Sequence, residues 1–471
     1  MATETFDLIV IGGGGAGREA ATRARVDHGA SVAVVESGLW GGSCANVACK
    51  PTKQYVAAAE LIADLATAAD LGIRGGSARF DLRRLKERKD WLIGTQEGWR
   101  RRFVDAGFTA IDGDATLAGD GIVRVGERVL AAPRILIATG SRTAVPPIEG
   151  IDEVPWVDST GALELTELPS RLLALGAGAV GLELAQAFAR FGSRVTLVEG
   201  VDRIAIRSDE DAAAELQAAL VDDGIEIVTG TFVTKVARSP QGVRATLTPR
   251  SGGDARDLTA DLLLVASGRR PNVEGLGLEV AGVETSRAGI VTDGRLRTSA
   301  GGIWAAGDVT DGIQLTPVAA YQAQIAVLDM FDDAHARGSD YSVVPTAIFT
   351  DPELAQAGAT EDEARAAGFE VATTTVYARD LLKPSYRVAR DATPRGLIKL
   401  VYERGSNRLL GLHAAVRGGA ELVQGYAVAL RLGVTLEDIA HSHYAFPTVG
   451  EGVVYAAQAA LAKAAVATEP E

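Results

Sequence analysis

Two cysteines stand in the 471-residue chain, Cys44 and Cys49, within the run Gly41-Gly42-Ser43-Cys44-Ala45-Asn46-Val47-Ala48-Cys49-Lys50-Pro51-Thr52-Lys53. A thiol pair at this spacing reads as a redox device, which stores two electrons as a dithiol and gives them up on closing a disulfide. On a regular helix five residues advance ~7.5 Å along the axis, at the edge of what a disulfide spans, so joining the sulfurs requires an irregular first turn. Two blander readings compete. A pair of unrelated core cysteines would not account for the Gly-Gly lead-in and the Pro-x-Lys tail. A zinc site would need a second thiolate pair or a cluster of histidines to complete its tetrahedral shell.

The elements that must hold this pair are legible on either side of it. Before it, the apolar run Phe6 to Ile11 leads into Gly12-Gly13-Gly14-Gly15-Ala16-Gly17, a helical pattern, and a second apolar run, Ser31 to Val35, that ends at Glu36. This is a βαβ dinucleotide fingerprint. Gly12 makes the tight turn, Gly14 lets backbone approach a pyrophosphate, Gly17 allows close helix packing, and Glu36 is placed to accept a hydrogen bond from a ribose hydroxyl. The pattern recurs at Leu172 to Leu175, then Gly176-Ala177-Gly178-Ala179-Val180-Gly181, a helix through Phe191, and a strand from Arg194 to Val198 that ends at Glu199. A glycine motif alone is a weak signal, but strand, helix and acid around it make each copy strong. Two fingerprints imply two dinucleotides. With a redox disulfide, the simplest arrangement is a relay from a nicotinamide through a flavin to sulfur.

Composition excludes other classes. With 47 Lys and Arg against 61 Asp and Glu, the net charge of -14 argues against nucleic acid. The first residues lack a basic leader region, and no segment approaches the ~18 to 20 apolar residues of a spanning helix, so a membrane role is not expected either. A cytoplasmic enzyme is the expectation, and in that compartment a lone thiol pair reads as catalytic or redox-sensing. The length suggests about three domains at ~150 residues each, and 47% hydrophobic residues supply ample core.

Further pieces follow in order: Ala138-Thr139-Gly140, Ala266-Ser267-Gly268-Arg269-Arg270-Pro271-Asn272, Ala306-Gly307-Asp308, Leu315-Thr316-Pro317 and Phe349-Thr350-Asp351-Pro352-Glu353. With the fingerprints and the cysteine motif, the chain resembles from end to end the pyridine nucleotide-disulfide oxidoreductases, the flavoprotein family of glutathione reductase, dihydrolipoyl dehydrogenase and mercuric reductase. The resemblance implies an α/β fold of two Rossmann-like dinucleotide-binding domains plus an α+β dimerisation domain. FAD would occupy the first fingerprint in a discontinuous domain of residues 1–150 and 275–343. The nicotinamide dinucleotide would occupy the second, in residues 151–274, and residues 344–471 would form a homodimer. In that last stretch Ala347 to Phe349 and Leu397 to Val401 read as strands and Ala420 to Leu432 as a helix. Thr139, Gly140 and Gly268 are matching cofactor-binding positions, and Asp308 matches the residue that hydrogen-bonds the flavin's ribityl or phosphate region.

The resemblance also assigns roles at the disulfide. Cys49 would lie beside the flavin as the charge-transfer thiol, and Cys44 would be the interchange thiol that attacks substrate. Lys53, one helical turn after Cys49, would stand against the flavin ring, with Glu183 as its buried partner. Dinucleotide choice rests on Glu199, whose carboxylate accepts from a 2'-hydroxyl and repels a 2'-phosphate. The reading is therefore NADH. NADPH stays possible because Arg203 and Arg207 could each reach a phosphate.

The chain departs from the family near its end, in His441-Ser442-His443-Tyr444-Ala445-Phe446-Pro447-Thr448-Val449-Gly450-Glu451. Disulfide-reducing members carry a histidine where Phe446 stands, and it protonates the leaving thiolate. A phenyl ring transfers no proton, so a general-acid contribution of typically 10² to 10⁴-fold must be absent, replaced or unnecessary. Glu451 has lost the imidazole that it normally orients. His443 would need a loop bend to substitute. Tyr444 offers a hydroxyl with an ordinary pKa near ~10, a poor donor to a thiolate. The ending is more similar to that of mercuric reductase, which has a tyrosine in place of the histidine, but no cysteine follows Cys49 to relay a metal. The leading expectation is a FAD-dependent NAD(P)H:disulfide oxidoreductase acting on a small disulfide that leaves as a thione, such as ergothioneine disulfide. A soft-metal-ion reductase, a quinone reductase and a flavin redox sensor without turnover are the alternatives; no metal is expected as a resident group.

Overall fold

Leu8–Ile11 is buried along its whole length, the burial of a strand inside a parallel sheet, and it pairs in parallel with Val32–Glu36 in the register Leu8 to Val32. The computed structural model describes residues 2–73 and 79–468. Contacts divide the chain into two units. The first comprises Met1–Pro51, Glu87–Ala144 and Gly268–Asp340. Its five-stranded sheet has the order Ile303–Ala305, Ile135–Ile137, Leu8–Ile11, Val32–Glu36, Thr109–Asp112, all parallel. Helix α1 (Gly15–His28) crosses from the first fingerprint strand to the second, and its Ala16, Ala20, Ala21 and Ala24 pack into a core with Val10, Val34 and Leu136.

The second unit comprises Thr52–Lys86, Val145–Ser267 and Tyr341–Glu471. It contains another five-stranded parallel sheet, in which Arg171–Leu175 pairs with Arg194–Val198, and the helix Ala179–Phe191 between them buries Leu182, Leu184, Phe188 and Phe191. It also contains a five-stranded antiparallel sheet of Thr346–Ile348, Leu354–Gly358, Leu409–Ala415, Leu397–Glu403 and Val371–Tyr377, with the helices Gly419–Arg431 and Glu451–Thr468. The α+β reading of the last third is thus the observed fold.

The doubled fingerprint has a steric cause. A Cβ on Gly17 would lie 1.9 Å from the Gly12 carbonyl oxygen, and one on Gly181 would lie 1.8 Å from that of Gly176. Each helix therefore starts so close to its own turn that only glycine fits. No helix among the described residues is long and apolar enough to cross a membrane.

Candidate active site

Cys44 sits in the five-residue helix α2 (Gly42–Asn46), and Cys49 is the first residue of the long helix α3 (Cys49–Thr67). The backbone leaves helical geometry at Val47 and Ala48, the irregular turn that the five-residue spacing requires. Asn46 pins α2 by donating through Nδ2 to the carbonyls of Trp40 at 3.0 Å and Gly42 at 2.8 Å, while its Oδ1 accepts from Gln96. The Gly-Gly lead-in is steric. Gly42 has φ +72°, and a Cβ on it would come within 2.6 Å of Gly14 Cα, so the cysteine helix lies directly against the first fingerprint. Cys49 is exposed at the amino end of α3, the end at which a helix dipole favours negative charge. Its Sγ lies 3.7 Å from Thr316 Oγ1.

Beside these residues runs an open cleft of about 460 Å³, lined by Gly12, Gly14, Glu36, Cys44, Thr139, Gly140 and Asp308. Gly17 is buried beneath it in α1. No side chain caps the start of α1, so its first amides face a prospective anion. Glu36 accepts from the amides of Gly13 at 2.7 Å and Gly38 at 2.8 Å, one on each oxygen, and each oxygen keeps a second lone pair. Burial raises its carboxyl above the usual range although these amides oppose the shift. Asp308 accepts from Ser141 at 2.7 Å, and Thr139 donates to the Asn272 carbonyl at 2.8 Å. This donor set fits FAD: uncapped amides for a pyrophosphate, carboxylates for hydroxyls, and glycines where backbone must approach a ligand.

The second fingerprint repeats the brace. Glu199 accepts from the amides of Ala177 at 2.7 Å and Val201 at 3.1 Å, and Gly178 caps the helix Ala179–Phe191 without a side chain. Gly268 has φ +124° with open space on its Cβ side. Arg203 donates to the carbonyls of Ala205, Ile206 and Ser208 at 2.9 to 3.0 Å. Its guanidinium is spent on its own loop. Arg207 lines a separate, acid-rich cavity with Asp209, Asp211, Glu361 and Lys399.

Lys53 and Glu183 both belong to the second unit, and they meet. The Lys53 ammonium donates to both Glu183 oxygens, at 2.7 and 2.8 Å, and stands 4.5 Å from the centre of the Phe349 ring. Glu183 is 3% exposed and also accepts from the Phe349 amide at 2.9 Å. A carboxylate so enclosed needs such partners, since an uncompensated one costs several kcal/mol.

At the chain's end Phe446 is 62% exposed, whereas Glu451, the first residue of Glu451–Thr468, is 1% exposed. Glu451 Oε2 has no hydrogen-bond partner among the described residues. Tyr444 donates to the Tyr455 hydroxyl at 3.3 Å with the rings edge-to-face. Tyr444 is thus turned toward Tyr455. His443 is exposed in the same loop. Ser141 carries no sequence signal of its own, and Thr316 stands out only within Leu315-Thr316-Pro317. Leu315-Thr316-Pro317 marks a helix start, but nothing in it says which thiol it will face.

The model of the family described as pyridine nucleotide-disulphide oxidoreductase matches residues 6–323, and that of the family's dimerisation domain matches residues 344–457. The chain belongs to this family. It is an oxidoreductase of the flavoprotein disulfide reductase class, and the family uses FAD and a pyridine nucleotide. A mercuric reductase of Streptomyces lividans is 38% identical over 462 residues, covering 96% of each chain. Dihydrolipoyl dehydrogenase 3 of Pseudomonas aeruginosa is 36% identical, covering 96% of this chain and 97% of the relative. Among solved structures, the Cu(II) complex of the HOCl-induced flavoprotein disulfide reductase RclA from Escherichia coli superimposes with a TM-score of 0.85 at 29% identity, covering 98% of this chain and all of that one.

Proposed function

We propose that this family member reduces a small disulfide whose sulfur leaves without a general acid, of the kind that departs as a thione, as a thiol-imidazole does. The observation that carries this reading is Glu451: an enclosed carboxylate with one oxygen lacking a partner among the described residues, and phenylalanine at the position of the imidazole. FAD, when bound by Gly12, Gly14, Glu36, Thr139, Gly140 and Asp308, supplies the two-electron link between nicotinamide and disulfide. The chain's own residues do the sulfur chemistry. Cys44 thiolate attacks one sulfur of the substrate; the substrate S–S bond breaks, a mixed disulfide forms on Cys44, and the first thiolate leaves. Cys49 thiolate then attacks Cys44 sulfur, closing the Cys44–Cys49 disulfide and releasing the second. Lys53, held by Glu183, keeps a positive charge one turn along α3 from Cys49. With no acid at position 446, the departing sulfur must be stable as an anion or thione.

The nicotinamide reading is NADH, supported by Glu199 at the end of its strand and by an Arg203 committed to its own loop. The reading keeps residues 1–150 and 275–343 for FAD, 151–274 for the nicotinamide, and 344–471 for dimer formation in a cytoplasmic homodimer.

NADH oxidation across disulfides spanning several pKa units of leaving thiol tests the substrate class. Rates should rise steeply as the leaving thiol becomes more acidic, with glutathione disulfide and lipoamide poor substrates. A flat series, or glutathione disulfide as the best substrate, means that another group such as His443 or Tyr444 supplies the proton. A second reading, soft-metal-ion reduction, draws on the mercuric reductase relatives and the Cu(II) complex of RclA. It predicts NADH oxidation driven by Hg²⁺ or Cu²⁺ faster than by any disulfide in the series, although no cysteine follows Cys49.

A further inference from the structure

Two helices of the second unit turn matching polar faces to each other. On α3, Lys53, Glu60 and Asp64 are spaced by seven and eleven residues, about two and three helical turns, so they share one face. On Ala179–Phe191, Glu183, Gln186 and Arg190 do the same at steps of three and seven. The segment Phe349–Asp351 is hydrogen-bonded to the second helix and reaches α3 through the Phe349 ring beside Lys53 and through Arg417. Its Phe349 amide donates to Glu183, its Asp351 amide donates to Gln186 Oε1 at 2.8 Å, and Gln186 Nε2 donates back to the Asp351 carbonyl at 2.8 Å. The Asp351 carboxylate takes Arg190 at 3.1 Å and Arg417 at 2.7 Å, and Arg417 reaches on to Asp64 at 2.7 Å. The segment that carries the Phe349 amide and ring, both in contact with the Lys53–Glu183 pair, is therefore clamped at Asp351.

We propose that Asp351, gripped by Arg190 and Arg417, is a positioning residue that sets where the Lys53 ammonium stands. The inference rests on the role given to Lys53 above. Among the described residues Glu183 has one donor besides Lys53, the Phe349 amide, and that amide lies two residues from the clamp. Arg417 meanwhile ties the same clamp to Asp64, three turns beyond Lys53 on one helix, so movement of Phe349–Asp351 shifts the lysine's partner and the helix that bears it. Burial alone would raise the Asp351 carboxyl, but the hydrogen bond from Arg417 and the charges of Arg190 and Arg417 outweigh it and hold it below the usual carboxylate range, as a permanent anion requires.

The test is a double-mutant cycle on the FAD-loaded enzyme, with Asp351→Asn, Lys53→Met and the double variant. Four quantities are read: kcat and KM for NADH with an aromatic disulfide as acceptor, the long-wavelength absorption of the two-electron-reduced enzyme, and Tm. Asp351→Asn should lower kcat about tenfold with KM little changed, the loss expected when a reacting charge is displaced by a fraction of an ångström. It should also weaken the long-wavelength band. In the Lys53→Met background it should add nothing to either. Equal losses in both backgrounds, or a lower Tm with band and kcat intact, would overturn the proposal. If Asp351→Asn yields no folded holoenzyme, Arg417→Lys, which keeps the charge but not the two-pronged grip, goes through the same cycle with the same expectations. Lys53→Met with band and kcat unchanged would instead sink the role of Lys53 itself and the positioning proposal with it.

Discussion

Phe446 and Glu451 lie five residues apart, one exposed and one enclosed, and the enclosed one keeps an oxygen without a partner among the described residues. Phe446→His offers that carboxylate an N–H and restores a proton donor. We expect kcat/KM for alkyl disulfides to rise by about 10- to 100-fold, within the usual range for general acid catalysis, and for aromatic disulfides much less. Adding Glu451→Gln should remove most of the gain; a gain equal for both substrate classes would show that the imidazole acts otherwise. The cysteines can be told apart spectroscopically. Cys49→Ser should abolish the long-wavelength band of the reduced holoenzyme, whereas Cys44→Ser should keep or strengthen it. Loss of the band in the Cys44 variant alone would exchange the two roles.

Among the elements, the break between α2 and α3 does what a continuous helix cannot, bringing a thiol in one helix and a thiol at the head of the next onto a short irregular turn. The antiparallel sheet carries a different constraint. His413, in the strand Leu409–Ala415, is fully buried, its ring Nε2 pairs with the Ala359 carbonyl at 3.0 Å, and its Nδ1 has no partner among the described residues. Burial lowers its pKa below the ordinary 6.5, against the pull of Asp209. The folded chain therefore holds fewer protons here than the unfolded one, so this contribution to stability is full above about pH 6.5 and is lost as the pH falls through that value. Urea denaturation between about pH 5 and 7 should show stability falling by at most about 1.4 kcal/mol per pH unit from this site. His413→Gln should flatten that slope, and an unchanged slope would assign it to other groups.

For the whole molecule, one βαβ device occurs in two copies, and an acid stands at the end of the second strand of each: Glu36 and Glu199, each braced by two backbone amides. NADH should be used with a higher kcat/KM than NADPH, and Glu199→Ala should narrow the gap. A wild-type preference for NADPH would hand the choice to Arg207. The fingerprints were legible because their demands are local. The apolar run Arg194 to Val198 is a strand along its whole length, since an apolar run closed by an acid carries its own signal. The apolar run that starts at Phe6 becomes a strand only from Leu8, because hydropathy does not mark where ladder pairing starts. The cysteine spacing likewise demanded an irregular turn. Apart from the Lys53–Glu183 pair, which the family resemblance implies, the sequence does not decide which side chains meet across long stretches of chain. Thr316 reaches Cys49 across 267 residues, and Arg417 reaches Asp64 across 353. It also could not show that Arg203 turns back onto its own loop. Types of chemistry follow from short-range sterics and spacing, which neighbouring residues enforce on each other; partners at long range are chosen only when whole sheets and helices pack, and no local periodicity records that choice.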